Sequence, residues 1–267
     1  MAPHSVAGAA ELVKQTTYAS IGIQVITGLL GIYGLTLPVS GGDTVLQTVL
    51  QLELVVQAIE LAFYTFFISH FSLEGFAASR YFDWVLSTPL MLFTMAVYFT
   101  YEHLKESSKE LNVTEFIQEN RWILAEIMGF NFLMLLFGYL GESGVIDRLT
   151  AFTLGTACFA RSFYILYTNF AHTTPIGKTL FEVLFVVWAL YGAAFLAPTV
   201  QKNIGYNILD IIAKNFFGVF LCIKILQVSR ELASLARRPS RSKDLEGTRW
   251  LVDPLDLKIS REHHESP

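Results

Sequence analysis

Residues 80–101 read RYFDWVLSTPLMLFTMAVYFTY. Arg80 and Asp83 open the stretch, and no Asp, Glu, Lys or Arg follows from Trp84 to Tyr101. A helix crosses the hydrocarbon core of a bilayer with about 20 mostly apolar residues, and this run is of that size. Working outward, the same kind of gap recurs from Gln15 to Gly42 and from Val183 to Gln201. Of the 267 residues, 53% are hydrophobic and 16% charged, whereas a soluble domain carries roughly a quarter of its residues as charges. These numbers exclude a soluble globular enzyme. A nucleic-acid module is excluded too, because the net charge is −4 and no stretch offers a groove for phosphates. Cys158 and Cys222 both lie in apolar segments, which rules out a disulfide framework and leaves the redox compartment unread. The first 16 residues hold no apolar stretch behind a basic start, so no cleavable signal peptide is expected.

Apolar windows between polar breaks give seven spans: Thr16–Leu37, Thr44–Ser69, Ser79–Tyr101, Arg121–Leu140, Val145–Thr168, Ile176–Ala197 and Asn203–Val228. The expected fold is all-α, a seven-transmembrane helix bundle. Turn signals such as Pro38-Val39-Ser40-Gly41-Gly42 and Gly141-Glu142-Ser143-Gly144 keep the connections short, so consecutive helices should be antiparallel neighbours. Lys105, Lys109, Arg121, Lys178 and a tail with Arg230, Arg237, Arg238, Arg241 and Lys243 outnumber Lys14, Arg80, Arg148 and Lys202 on the opposite side. The excess marks the cytoplasmic side. Residues 1–15 then form an extracellular N-terminal segment, 16–228 the membrane domain and 229–267 a cytoplasmic tail. The tail's first part could continue as a helix along the membrane surface. The Asn112-Val113-Thr114 sequon falls inside and should stay unmodified.

Ionisable residues within a span are costly and usually face the bundle interior. Here they fall on stripes. The last span carries Asn203, Asn207, Asp210 and Lys214 on one helical face; the third carries Arg80, Asp83, Ser87 and Thr94. The second carries Glu53, Gln57, Glu60 and Tyr64, and the first Thr17, Ser20, Gln24 and Thr27. Each hydroxyl or amide alone reads as a hydrogen bond between helices; four stripes together favour a hydrated path. Lys214 has two readings of equal standing. It is either an ammonium neutralised by Asp210 one turn away, or an amine made nucleophilic by an apolar site, as Schiff-base lysines are.

These residues also carry a family resemblance. Arg80-Tyr81-Phe82-Asp83-Trp84-Val85-Leu86-Ser87-Thr88-Pro89-Leu90 resembles the third-helix motif of microbial (type 1) rhodopsins, and Leu209-Asp210-Ile211-Ile212-Ala213-Lys214 their seventh-helix motif. Trp188-Ala189-Leu190-Tyr191 resembles the sixth-helix W-x-x-Y, and Phe137-Gly138-Tyr139-Leu140-Gly141-Glu142 is similar to the F-G-Y-x-G-E of proteorhodopsins and their viral relatives. The resemblance covers about Thr16 to Val228. It implies all-trans retinal held on Lys214 as a protonated Schiff base. It makes Asp83 the primary counterion and proton acceptor, Asp210 the second counterion, and Arg80 an organiser of charge on the extracellular side. Trp84, Thr88, Met91, Trp188 and Tyr191 are then to contact the polyene. Met91 stands where proteorhodopsins tune colour, and an apolar residue there implies green absorption.

The resemblance also frames the transport question. The familiar outward proton pump reloads from a carboxylic acid at the position of Thr94, which cannot donate near neutral pH. No acid lies between Leu196 and Tyr206, and Gly192 stands where many relatives have proline. Gln57-Ala58-Ile59-Glu60 is similar to the A-I-E stretch of algal channelrhodopsins, whose glutamate forms a central gate with a first-helix hydroxyl and the asparagine after the retinal lysine. Thr27 and Asn215 fall at the matching places. A ring of carboxylate, hydroxyl and amide would favour cations; the plain alternative for Glu60 is a hydrogen-bonded acid that steadies its helix. Algal channels carry more second-helix glutamates than Glu53 and Glu60. The expectation is a light-gated cation channel, with an outward proton pump as the alternative and a sensory photoreceptor third. Arg80, Glu60, Thr27, Asn215, Ser87, Thr94, Glu53 and Tyr64 would line its path. Its expected partners are the lipid bilayer, retinal, cations or protons, and further copies of itself as a trimer or pentamer. Neither an enzyme nor a nucleic-acid partner is expected.

Overall fold

The computed structural model describes residues 3–73 and 75–236. Seven α-helices follow one another: α1 Pro3–Thr36, α2 Thr44–Ser69, α3 Phe76–Glu106, α4 Val113–Glu142, α5 Arg148–Asn169, α6 Pro175–Leu196 and α7 Thr199–Ala236. Single 3-10 turns at Gly41–Asp43 and Ala171–Thr173 lead into α2 and α6, and no strand occurs among the described residues. The chain divides into two units, Met1–Ser229 and Arg230–Pro267. The seven-helix core lies in the first unit. Of the second, only the last residues of α7 are described, and the expectations about the tail beyond Ala236 lie outside the described residues.

Local chemistry fixes the ends. Asn112 caps α4 with its side-chain oxygen, accepting from the N–H groups of Thr114 at 3.0 Å and Glu115 at 3.3 Å. The sequon is therefore the capping sequence of a helix. Asp147 caps α5 by accepting from the Thr150 N–H at 2.9 Å, and the hydrogen bonds from Thr150 hold its carboxyl below the ordinary range. Thr174 caps α6, with Pro175 at the first helical position, where its missing N–H costs nothing. Gly144, at φ +71°, makes the turn that ends α4. The helices run past the apolar spans: α1 starts at Pro3 rather than Thr16, and α4 at Val113 rather than Arg121. Charged residues end an apolar window but do not end a helix.

The packing is inverted relative to a water-soluble protein. Large apolar side chains such as Leu29, Ile32, Phe66, Phe82, Leu86, Trp122 and Val186 are exposed, while Thr17, Ser20, Gln24, Glu53, Glu60, Arg80, Asp83, Asp210 and Lys214 are buried. Consecutive helices pack side by side from α1 to α6. Helices α1 to α6 are each long and apolar enough to cross a membrane. α7, which carries Lys202, Asp210, Lys214 and Lys224, does not meet that measure. Polar side chains tie it in. Asn207 Nδ2 donates to Thr16 Oγ1 at 2.6 Å and to Thr17 Oγ1 at 3.1 Å on α1. Lys202 Nζ reaches both carboxylate oxygens of Glu142 on α4 at 2.7 Å.

Candidate functional site

α3 and α7 face each other across the bundle and bring four charges together. Lys214 Nζ donates to Asp83 Oδ2. Asp210 accepts from Arg80 Nη1 at 2.9 Å, Tyr64 Oη at 2.6 Å, Tyr191 Oη at 2.8 Å and Trp84 Nε1 at 3.3 Å. Arg80 also donates to Tyr64 Oη at 2.6 Å and to Asn207 Oδ1, and its guanidinium lies 4.4 Å from the centre of the Phe76 ring. A buried charge persists only when paired and hydrogen-bonded, and two cations here meet two aspartates. The pairing crosses the helices: Lys214 takes Asp83, whereas Asp210, one turn away on α7, takes Arg80. The two aspartates differ. Both oxygens of Asp210 are engaged, while Asp83 Oδ1 has no partner among the described residues. Glu60 Oε1 lies 4.0 Å from Lys214 Nζ, and neither of its oxygens has a hydrogen-bond partner among the described residues.

Lys214 also lines a cavity of about 200 Å³ between α3, α4, α5, α6 and α7. Trp84, Thr88, Met91, Trp188 and Tyr191 line it, with Met134, Phe152 and Phe159 among the others. Gly155 and Gly192 contribute walls without side chains. Thr88 turns its hydroxyl back to Trp84 O at 2.7 Å and accepts from Asn131 Nδ2 at 2.7 Å, so little polarity is left to the cavity. An aromatic and aliphatic chamber with one amine in its wall suits a long apolar ligand joined through nitrogen.

Beyond Lys214 along α7 lies a second set of polar residues, buried except for the half-buried Thr27. Thr94 Oγ1 is hydrogen-bonded to Glu53 Oε1 and to Met91 O, and Thr27 Oγ1 to Asn215 Oδ1. Gln24 Oε1, Glu53 Oε2 and Gln57 Oε1 have no partner among the described residues. Leu46, Leu50, Tyr98, Phe217 and Leu221, all nearly inaccessible, form an apolar layer past Glu53 and Thr94.

The family described as "Bacteriorhodopsin-like protein" matches residues 15–227. The chain belongs to that family. Members of this rhodopsin family bind retinal through a Schiff base to a lysine, and the chamber beside Lys214 fits such a group. The fold is that of the crystal structure of viral rhodopsin OLPVRII, with TM-score 0.71 and 27% identity over 81% of this chain and 99% of that one. The bromide-bound halorhodopsin of Halobacterium salinarum shares the fold at 16% identity, with TM-score 0.65 over 85% of this chain and 98% of that one. The green-light absorbing proteorhodopsin of Gamma-proteobacterium EBAC31A08 is 21% identical over 159 residues, 53% of this chain. The match spans 58% of that relative's length. The chain is thus a multi-pass, retinal-binding membrane protein of the rhodopsin fold.

Most of the residues singled out in the sequence converge in this rhodopsin. Lys214, Asp83, Asp210, Arg80 and Tyr64 form one network, and Trp84, Thr88, Met91, Trp188 and Tyr191 share the chamber with Lys214. Ser87 donates to the backbone oxygen of Asp83 at 3.0 Å. The expected trio of Glu60, Thr27 and Asn215 is only partly assembled. Thr27 and Asn215 are bonded, but Glu60 lies by Lys214 and bonds to neither, so it does not steady α2 through a hydrogen bond to another described residue. Asn131 is the single amide of the span Arg121–Leu140, yet its role at Thr88 depends on helix register and was missed. The Lys202–Glu142 pair escaped because its two members lie 60 residues apart.

Proposed function

We propose that this rhodopsin is a light-gated cation channel in which Lys214 carries the chromophore, Asp83 accepts the proton of the Lys214 nitrogen, and Asp210 is the fixed counter-charge. Retinal, when bound, supplies absorption of visible light and a light-driven change of shape. The division of labour between the aspartates follows from their bonds. Asp210 accepts from four donors and has no capacity left for a proton. Asp83 has an unengaged oxygen and touches Lys214 directly. Arg80 stays with Asp210, Tyr64 and Asn207, and a shift of its guanidinium would carry positive charge along the stripe. By the excess of Lys and Arg, the Arg80 end of the bundle would face outward and the end of α7 inward.

One observation carries the channel reading. Buried oxygens of Gln24, Glu53, Gln57 and Glu60, all on α1 and α2, lack protein partners among the described residues. Buried polar atoms of this kind take water or an ion as partner. Together with Thr27 and Asn215 they mark a route between α1, α2, α3 and α7, which is closed in the present state by the layer of Leu46, Leu50, Tyr98, Phe217 and Leu221. The same layer favours the second reading, an outward proton pump, since a pump must never be open at both ends. The photocurrent of Glu60→Gln beside wild type tests the channel. The expected result is an altered sodium-to-proton permeability ratio or a smaller current; unchanged selectivity and amplitude would remove Glu60 from the ion path.

A further inference from the structure

Position 94 lacks an acid in the sequence, but the fold brings one to it from α2. Thr94 Oγ1 has two partners, Glu53 Oε1 and the Met91 carbonyl at 2.9 Å. A hydroxyl has one proton to give, and a backbone carbonyl can only accept. One proton cannot serve both acceptors at once, and both bonds are made together when the Glu53 carboxyl brings a proton of its own. The surroundings agree. Glu53 is fully buried, and its Oε2 has no partner among the described residues. The nearest cations on α7 are committed elsewhere, Lys214 to Asp83 and Lys224 to Glu102 at 3.5 Å. A carboxylate left in such a place would be a buried, unpaired charge.

The acid also packs against the helix that carries the amine, one turn away from it. A Cβ built on Gly218 would lie 3.2 Å from Gln57 Nε2 and 3.9 Å from Glu53 Cβ. Gly218 is one helical turn beyond Lys214, a rise of about 6 Å. Gln57, on the same face of α2 between Glu53 and Glu60, borders the intervening space with an unpartnered oxygen.

We propose that Glu53 is the internal proton donor to the Lys214 nitrogen, performing from α2 the task that Thr94 cannot perform on α3. This rests on the reading of Lys214 as the chromophore-bearing residue and holds for a channel or a pump, since both must reload that nitrogen. The O–H bond of Glu53 breaks and an N–H bond forms at Lys214. The resulting carboxylate is held by Thr94, whose hydroxyl swings from Met91 O to donate to it. The carboxylate then regains a proton from water that enters past Leu50 and Tyr98. Thr94 is the positioning residue. Chains of acids near the membrane midplane serve as proton relays in this manner.

The test has two arms. In flash experiments on the full-length, retinal-reconstituted protein, the return of the visible band reports reprotonation of Lys214. Glu53→Gln should slow it by about tenfold or more and make it scale with bulk proton concentration, and Glu53→Asp or added azide should restore much of the rate. An unchanged rate and pH profile in Glu53→Gln would overturn the proposal. The second arm is the infrared spectrum of the protein before retinal is added. A protonated-carboxyl carbonyl band should vanish in Glu53→Gln and move in Thr94→Val, which loses a hydrogen bond; a spectrum indifferent to both overturns the proposal. If Lys214→Ala still gains a visible band with retinal, the chromophore assignment fails, and the donor proposal fails with it whatever the infrared arm gives. A Lys214→Ala protein without the band, together with an unaltered infrared spectrum, isolates the failure to Glu53.

Discussion

Two aspartates flank one lysine in the centre of this protein, and their hydrogen bonds distinguish them. Asp83 is tied to Lys214, whereas Asp210 is held by Arg80, Tyr64, Tyr191 and Trp84. With a cationic chromophore nitrogen at Lys214, the nearer carboxylate pins the positive charge in the ground state. Asp83→Asn should therefore shift the visible band to the red at neutral pH; an unshifted absorption maximum would make another group the dominant counterion. The residue types were readable from the sequence, since Arg80, Asp83, Asp210 and Lys214 stand out against apolar neighbours. Their pairing was not. Asp210 and Lys214 are one turn apart on the same helix, yet each chooses a partner on α3, because facing helices offer better geometry than an adjacent turn.

At the scale of the helix, α7 is the exception. It is too polar to resemble the other six, and it is fastened by side chains to α1, α2, α3 and α4. The Lys202–Glu142 clamp at its start is nearly inaccessible, with the two side chains 2% and 6% exposed. Removing one member leaves the other charge buried and alone, which costs about 3–5 kcal/mol. Lys202→Met should lower the thermal midpoint in detergent by several degrees. Lys202→Met with Glu142→Gln should recover most of the loss, which a pair contributing nothing would not do. The helices themselves were legible from charge-free windows: α2 runs from Thr44 to Ser69, as its apolar window does. The ends of α1 and α4 were less legible, because Glu11, Lys14, Glu115 and Glu119 break an apolar window while remaining good helix residues.

For the whole molecule, the informative feature is the asymmetry of its interior. The α4–α6 side holds an apolar chamber with Lys214 in its wall, and the α1–α2 side holds acid and amide oxygens that lack partners among the described residues. In the proposed channel, a light-driven change in the chamber would reach Asp83 and Glu60 through Lys214, which lies beside both. Four polar stripes in the sequence pointed to this side of the bundle. The apolar layer that closes it was not legible, since Leu46, Leu50, Phe217 and Leu221 look in sequence like any core residues. The central claim is that light opens a cation path along the stripe, and the photocurrent of the wild-type protein under voltage clamp at two sodium gradients tests it most directly. The channel account predicts a current that reverses sign with voltage, at a potential that moves with the gradient. A current that stays outward at every voltage would contradict it and establish the pump.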